Sequence, residues 1–150
     1  MHPYPHRYTV SARMQGQEPI ALSSPGLPDL DSAPPAEFDG PGDLWSPETL
    51  LVAAVADCFA LTFRAIARAS RYEWTALRAE AAGVLDRSPE GTRFTEIHLL
   101  AELDAPAGAD PAQGERLLAK AEKSCLISRS LAAPVHLEAT VRIAGAVSSP

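Results

Sequence analysis

The sequence predicts an α+β chain with a mainly antiparallel sheet and one long helix. Alternation with a period of two marks the front, middle and end of the chain, while apolar residues recur every three or four positions after Ser46. Strand runs and helix runs are also grouped rather than strictly alternating, which separates this class from a parallel α/β fold.

Residues 8–14 alternate as a strand does, and residues 20–23 follow the Gly16 region closely enough to pair with them as a hairpin. Nine of the fourteen prolines then fall at or before Pro47. Proline fixes φ and removes a backbone donor, so residues 24–45 read as an extended loop with one short strand.

Ser46-Pro47-Glu48 opens a helix. Ser46 is suited to the cap and Pro47 to the first helical position, and Glu48 places negative charge at the positive end of the dipole. From there Leu51, Ala54, Val55, Cys58, Leu61, Thr62, Ala65, Ile66 and Ala69 form an apolar stripe, which predicts a largely buried helix with Cys58 on its inner face.

Residues 74–86 and 94–103 read as two strands joined by a turn at 87–91. Asp110-Pro111 opens a second helix through Leu117, Leu118, Ala121 and Glu122. Residues 134–144 close the fold as a strand in which Val135, Leu137, Ala139, Val141 and Ile143 alternate with polar residues.

Composition narrows the function classes. A chain of 150 residues, 46% hydrophobic, is expected to form a single domain over residues 1–150 with an adequate core. A net charge of -6 argues against nucleic acid as a partner, since gripping a phosphate backbone needs clustered Lys and Arg. The apolar run 50–63 is interrupted by Asp57 and is shorter than the ~20 residues of a membrane span, so no membrane association is expected. The first residues lack the apolar core and small cleavage-site residues of a secretory signal, which predicts a reducing, cytoplasmic setting where disulfides are usually transient.

Two cysteines, Cys58 within the apolar stripe and Cys125 after the second helix, suggest a redox couple. If Ser124 caps a short helix there, the Cys125 thiol lies at a positive dipole end beside Lys123 and Arg129, conditions that favour thiolate. His2 and His6 sit at the terminus and His98 and His136 stand singly in predicted strands, so no metal site is expected. Glycine-rich nucleotide motifs and the Gly-x-Ser-x-Gly of acyl hydrolases do not occur.

Ser46-Pro47-Glu48-Thr49-Leu50-Leu51, then Ala53-Ala54 and Cys58-Phe59, with Ala121, Cys125-Leu126-Ile127-Ser128 and Leu131 later, resemble the OsmC/Ohr family of osmotically induced and organic-hydroperoxide-resistance proteins. The resemblance implies an OsmC-like fold with a long central helix in an intertwined homodimer, active sites at the dimer interface, and no haem, flavin or metal cofactor. It gives Cys58 the peroxidatic role and Cys125 the resolving role through a disulfide that an external dithiol reduces. It makes Glu48 the carboxylate that orients a catalytic arginine.

That arginine is where the sequence departs, because the matching positions carry Gln17 and Glu37. The departure points to a less characterised branch, with Arg13 or Arg129 as the substitutes available. Without a cation, a thiol in a helix interior is expected to have a raised pKa.

Two functions follow from these residues. One is a peroxidase for organic hydroperoxides, with Phe59, Phe63, Trp45 and Leu44 lining an entrance for an apolar chain. The other is a non-catalytic dimeric module that binds a small apolar molecule and keeps both cysteines inert. Fold alone does not choose between them.

Overall fold

The computed structural model describes residues 1–145. The chain forms two compact units, Met1–Leu51 and Val52–Pro150.

In the first unit, β1 (Ser11–Arg13), β2 (Ile20–Ser23) and β3 (Leu30–Ser32) make a three-stranded antiparallel sheet in that order. β1 is shorter than the alternation at 8–14 suggests. Among residues 24–45, β3 is the one short strand, and a 3-10 turn follows at Ala36–Phe38. Behind that turn the loop closes on itself at Gly40, where a Cβ would meet the Pro34 carbonyl oxygen at 1.7 Å. Only glycine permits that approach.

Helix α1 (Pro47–Ala69) starts where its sequence says it should. Ser46 is 1% exposed, the Thr49 amide donates to Ser46 Oγ at 3.1 Å, and the Ser46 amide donates to Thr49 Oγ1 at 2.8 Å. This is the reciprocal arrangement of a capping box, with Thr in the place of the usual Glu or Gln.

The second unit is built on the antiparallel pair β4 (Ala76–Ser88) and β5 (Gly91–Ala105), with β6 (Val135–Ile143) on the other side of β5. β6 runs parallel to β5. Parallel neighbours need a crossover, and α2 (Pro111–Ser124) with α3 (Leu126–Arg129) supplies it. Asp110 caps α2 by accepting from the Ala112 amide at 2.9 Å, ahead of Pro111.

Period-two patterning puts Leu99, Ala101, Leu103 and Ala105 of β5 into the core, against Leu117, Leu118 and Ala121 of α2 and Phe59, Phe63 and Ala67 of α1. The buried line of α1 is Val55, Phe59, Phe63 and Ala67, at a spacing of four. This corrects the predicted stripe: Cys58 flanks that line, and Leu61 is 47% exposed. Both faces of α1 are apolar, so periodicity alone does not say which one meets the sheet. At 23 residues α1 is long and apolar enough to cross a membrane by length and composition, unlike the run counted from the sequence. Its Val55, Phe59, Phe63 and Ala67 line packs into the core with β5 and α2, while the rest of the helix is only partly covered in the single chain, which corrects the expectation of a largely buried helix.

Candidate active site

Cys125 ends α2 and caps α3. Its backbone is extended at φ -62 and ψ 115 between two helices, and its own N–H returns to Glu122 O. Ser124 is therefore the last residue of α2 rather than the cap of α3, which corrects the sequence expectation. The first amides of a helix have no partner within it. Here those amides belong to Leu126 and Ile127, and both act on the Cys58 sulfur.

The two thiols adjoin each other, both reduced, and each alters the other's ionisation. Burial pushes the Cys58 thiol up. Hydrogen bonds from the Ile127 amide, the Cys125 thiol, the Thr62 hydroxyl and the Leu126 amide together outweigh burial, and its pKa is lowered. Thr62 Oγ1 lies 3.9 Å from Cys58 Sγ, one helical turn away. For Cys125 the balance is reversed. Its side chain is fully buried, the Ser128 hydroxyl and amide only partly offset that burial, and its hydrogen bond and proximity to Cys58 add to it, so its pKa is raised.

This corrects the expectation of a raised Cys58 pKa. Among the described residues no cation, Arg129 included, is among the groups acting on Cys58. Neutral amides take its place, because hydrogen bonds to the charged form favour it as a nearby charge does. Arg13 lies exposed on β1, in the first unit.

Cys58 opens onto a groove of about 630 Å³ lined by Leu61, Thr62, Ala65, Ile66, Leu126 and Ile127, with Lys120 and Asp57 as its charged members. Phe59 and Phe63 do not line it. Both are fully buried, and Phe63 packs edge-on against Trp74 at 5.5 Å between ring centroids, which is ordinary core packing.

Residues 40–140 match the model of the OsmC-like protein family. The chain belongs to this family. It is 32% identical over 117 residues to the uncharacterised protein YmaD of Bacillus subtilis, covering 74% of this chain and 77% of that one. An organic hydroperoxide resistance protein OsmC from Legionella pneumophila matches with a TM-score of 0.71 at 27% identity, over 91% of this chain and 98% of that chain. An OsmC-like protein of unknown function from Vibrio cholerae matches with a TM-score of 0.84, over 91% and 100% of the two chains, and at 19% identity this shows the fold alone.

The α+β architecture of this OsmC-like chain, with its two sheets and long helix, is thus that of the OsmC/Ohr structures. Within the first unit, Glu48 and Gln17 line one cavity of about 570 Å³ together with Leu44, Met14, Phe38 and Ile20. Glu48 Oε2 is buried there and accepts no hydrogen bond. No Lys or Arg among the described residues lines this cavity, and Glu37 is not part of its wall. Trp45 is about half exposed and is not part of that wall either.

Sequence reasoning missed three groups at the Cys58 site: the amides of Leu126 and Ile127, and Thr62 as a donor. The spacing of Cys58 and Thr62 at i and i+4 carried the Thr62 signal. Nothing in the sequence carried the amides, which depend on where α2 ends. Sequence reasoning also treated His98 and His136 as isolated. The parallel register of β5 and β6 sets them directly opposite each other.

Proposed function

We propose that this OsmC-like protein is a thiol peroxidase that reduces organic hydroperoxides, with Cys58 as the peroxidatic residue and Cys125 as the resolving one. The observation that carries this reading is the pair of opposed shifts on adjoining thiols: the one open to an apolar groove is driven toward thiolate, and the buried one is held as thiol. A reactive thiolate with a resolving thiol beside it is the arrangement of a redox cysteine.

The Cys58 thiolate attacks one oxygen of the hydroperoxide, the O–O bond breaks, and the alkoxide leaves and takes a proton as the alcohol. Cys58 becomes a sulfenic acid, oxidised by two electrons. Cys125 then attacks that sulfur, expelling water and forming the Cys58–Cys125 disulfide. An external dithiol returns both thiols by exchange. The groove walls of Leu61, Ala65, Ile66, Leu126 and Ile127 suit an alkyl or lipid-derived chain on the substrate. A homodimer is part of the same reading, since the groove face of α1 is apolar and open in the single chain.

The test is stoichiometric cumene hydroperoxide on the reduced protein, followed by intact mass. Loss of two hydrogens with no adduct, and a trappable sulfenic acid in Cys125→Ser, support the peroxidase. Thiols unchanged after treatment overturn it in favour of an inert module that binds a small apolar molecule.

A further inference from the structure

His98 and His136 pair in register across the parallel β5–β6 ladder, with ring centroids 5.4 Å apart and planes inclined at 29°. Their neighbours Ile97 and Leu99 are buried, so the two imidazoles stand on the opposite face of the sheet, where the His98 side chain is 54% exposed. Glu96 Oε2 lies 3.0 Å from His98 Nε2. The rings border a shallow hollow of about 270 Å³ whose wall also includes Glu80 and Glu138. Arg78 is ion-paired to Glu80, whereas Glu138 has no ion-pair partner among the described residues.

We propose that His98 and His136 together bind a divalent first-row transition metal ion of the zinc, nickel or copper class. Imidazole is the ligand these ions share. Neighbouring strands lie about 4.7 to 4.9 Å apart, which sets the starting separation of two side chains in register across them. Two nitrogens on one metal, each ~2.0 to 2.1 Å from it, must approach to roughly 3 Å. Exposed imidazoles reach that separation by turning about their side-chain torsions, with no change in the sheet. Glu96 occupies Nε2 of His98 and leaves Nδ1 for the metal, and a carboxylate on the outer imidazole nitrogen is the usual support for a metal-bound histidine.

Among the described residues no three such side chains already converge on one point. The two histidines are therefore the primary ligands. Glu138 follows His136 by two residues on the same strand and so shares its face, which makes it the carboxylate placed to swing in as a third. Water completes the shell. This site is independent of the thiol chemistry.

Ni2+ titrated into the reduced full chain tests the proposal, with calorimetry for affinity, histidine C2–H resonances for the ligands, and near-ultraviolet absorbance for any thiolate ligation. One ion is expected per chain, with two histidine signals broadened together and no thiolate band. His98→Asn and His136→Asn should each weaken binding tenfold or more, Glu138→Gln by a few-fold, and His2→Asn with His6→Asn not at all. Affinity unchanged by His98→Asn or His136→Asn, binding that disappears with the terminal histidines, or a thiolate band accompanying all of the binding would overturn it.

Discussion

Cys125 presents the α3 amides to Cys58 because it is extended between two helices. Had α2 continued by one more turn, the amides of Leu126 and Ile127 would have bonded back into that helix and been lost to the sulfur. The break therefore places the second thiol beside the first and also lowers the pKa of the first.

The first consequence is in pH. Cys58 has a lowered pKa and Cys125 a raised one, so alkylation of Cys58 should begin at lower pH than that of an ordinary thiol, and that of Cys125 at higher pH. The rate at Cys58 rises as pH climbs through its pKa and then levels off. Cys125→Ala removes a donor to the thiolate and should move the Cys58 profile upward. Iodoacetamide kinetics followed by peptide mass spectrometry measure both sites.

Removing one amide should act in the same direction. Leu126→Pro deletes the N–H that the Leu126 backbone offers to Cys58. Proline fits the first position of a helix, and the extended Cys125 before it has the conformation that a residue preceding proline prefers. The fold should survive with little change in melting temperature while the Cys58 pKa rises. An unchanged alkylation profile in a folded Leu126→Pro protein would remove the Leu126 amide from the donors to Cys58 and leave that role to Ile127.

Phe59 and Phe63 should behave as core residues. Each is fully buried against β5 and α2, so truncation to Ala should cost about 3 to 5 kcal/mol in urea unfolding. Leu61→Ala at the groove should cost far less stability, since Leu61 is 47% exposed, and should instead raise KM for bulky hydroperoxides if the proposed peroxidase uses this groove.

Much of this was legible in the chain because it is local. Ser46 and Pro47 fix the start of α1, Asp110 and Pro111 that of α2, and alternation in β5 names its buried face. What escaped the sequence is set by packing at a distance. Cys58 and Leu61 lie on an apolar face as convincing as that of Phe59 and Phe63, and only the sheet decides which face is covered. The exit from α2 at Cys125 lacks the glycine that usually marks a helix end, so the donors to Cys58 left no trace. His98 and His136 meet through a parallel register that the crossover sets and neither strand encodes.

Gly114 provides a prediction whose sign has to be decided by magnitude. In an exposed helix, Gly→Ala stabilises by about 1 kcal/mol, because alanine loses less backbone entropy. Gly114 is instead buried on the inner side of α2, where a new Cβ would stand 2.6 Å from Tyr72 Oη, 3.2 Å from Tyr72 Cζ and 3.2 Å from Val141 Cγ2. Tyr72 Oη donates to the Asp110 carbonyl oxygen at 3.2 Å, so displacing the ring breaks a bond worth about 0.5 to 1.5 kcal/mol. Overpacking adds about 1 to 3 kcal/mol. These costs exceed the propensity gain, and Gly114→Ala should lower the unfolding free energy by about 0.5 to 3.5 kcal/mol. Tyr72→Phe removes the atom closest to the new methyl, so Gly114→Ala should cost less in a Tyr72→Phe background than in the parent. Chemical denaturation of the four proteins in that cycle measures the coupling, and strict additivity would show that the tyrosine hydroxyl is not what excludes a side chain at position 114.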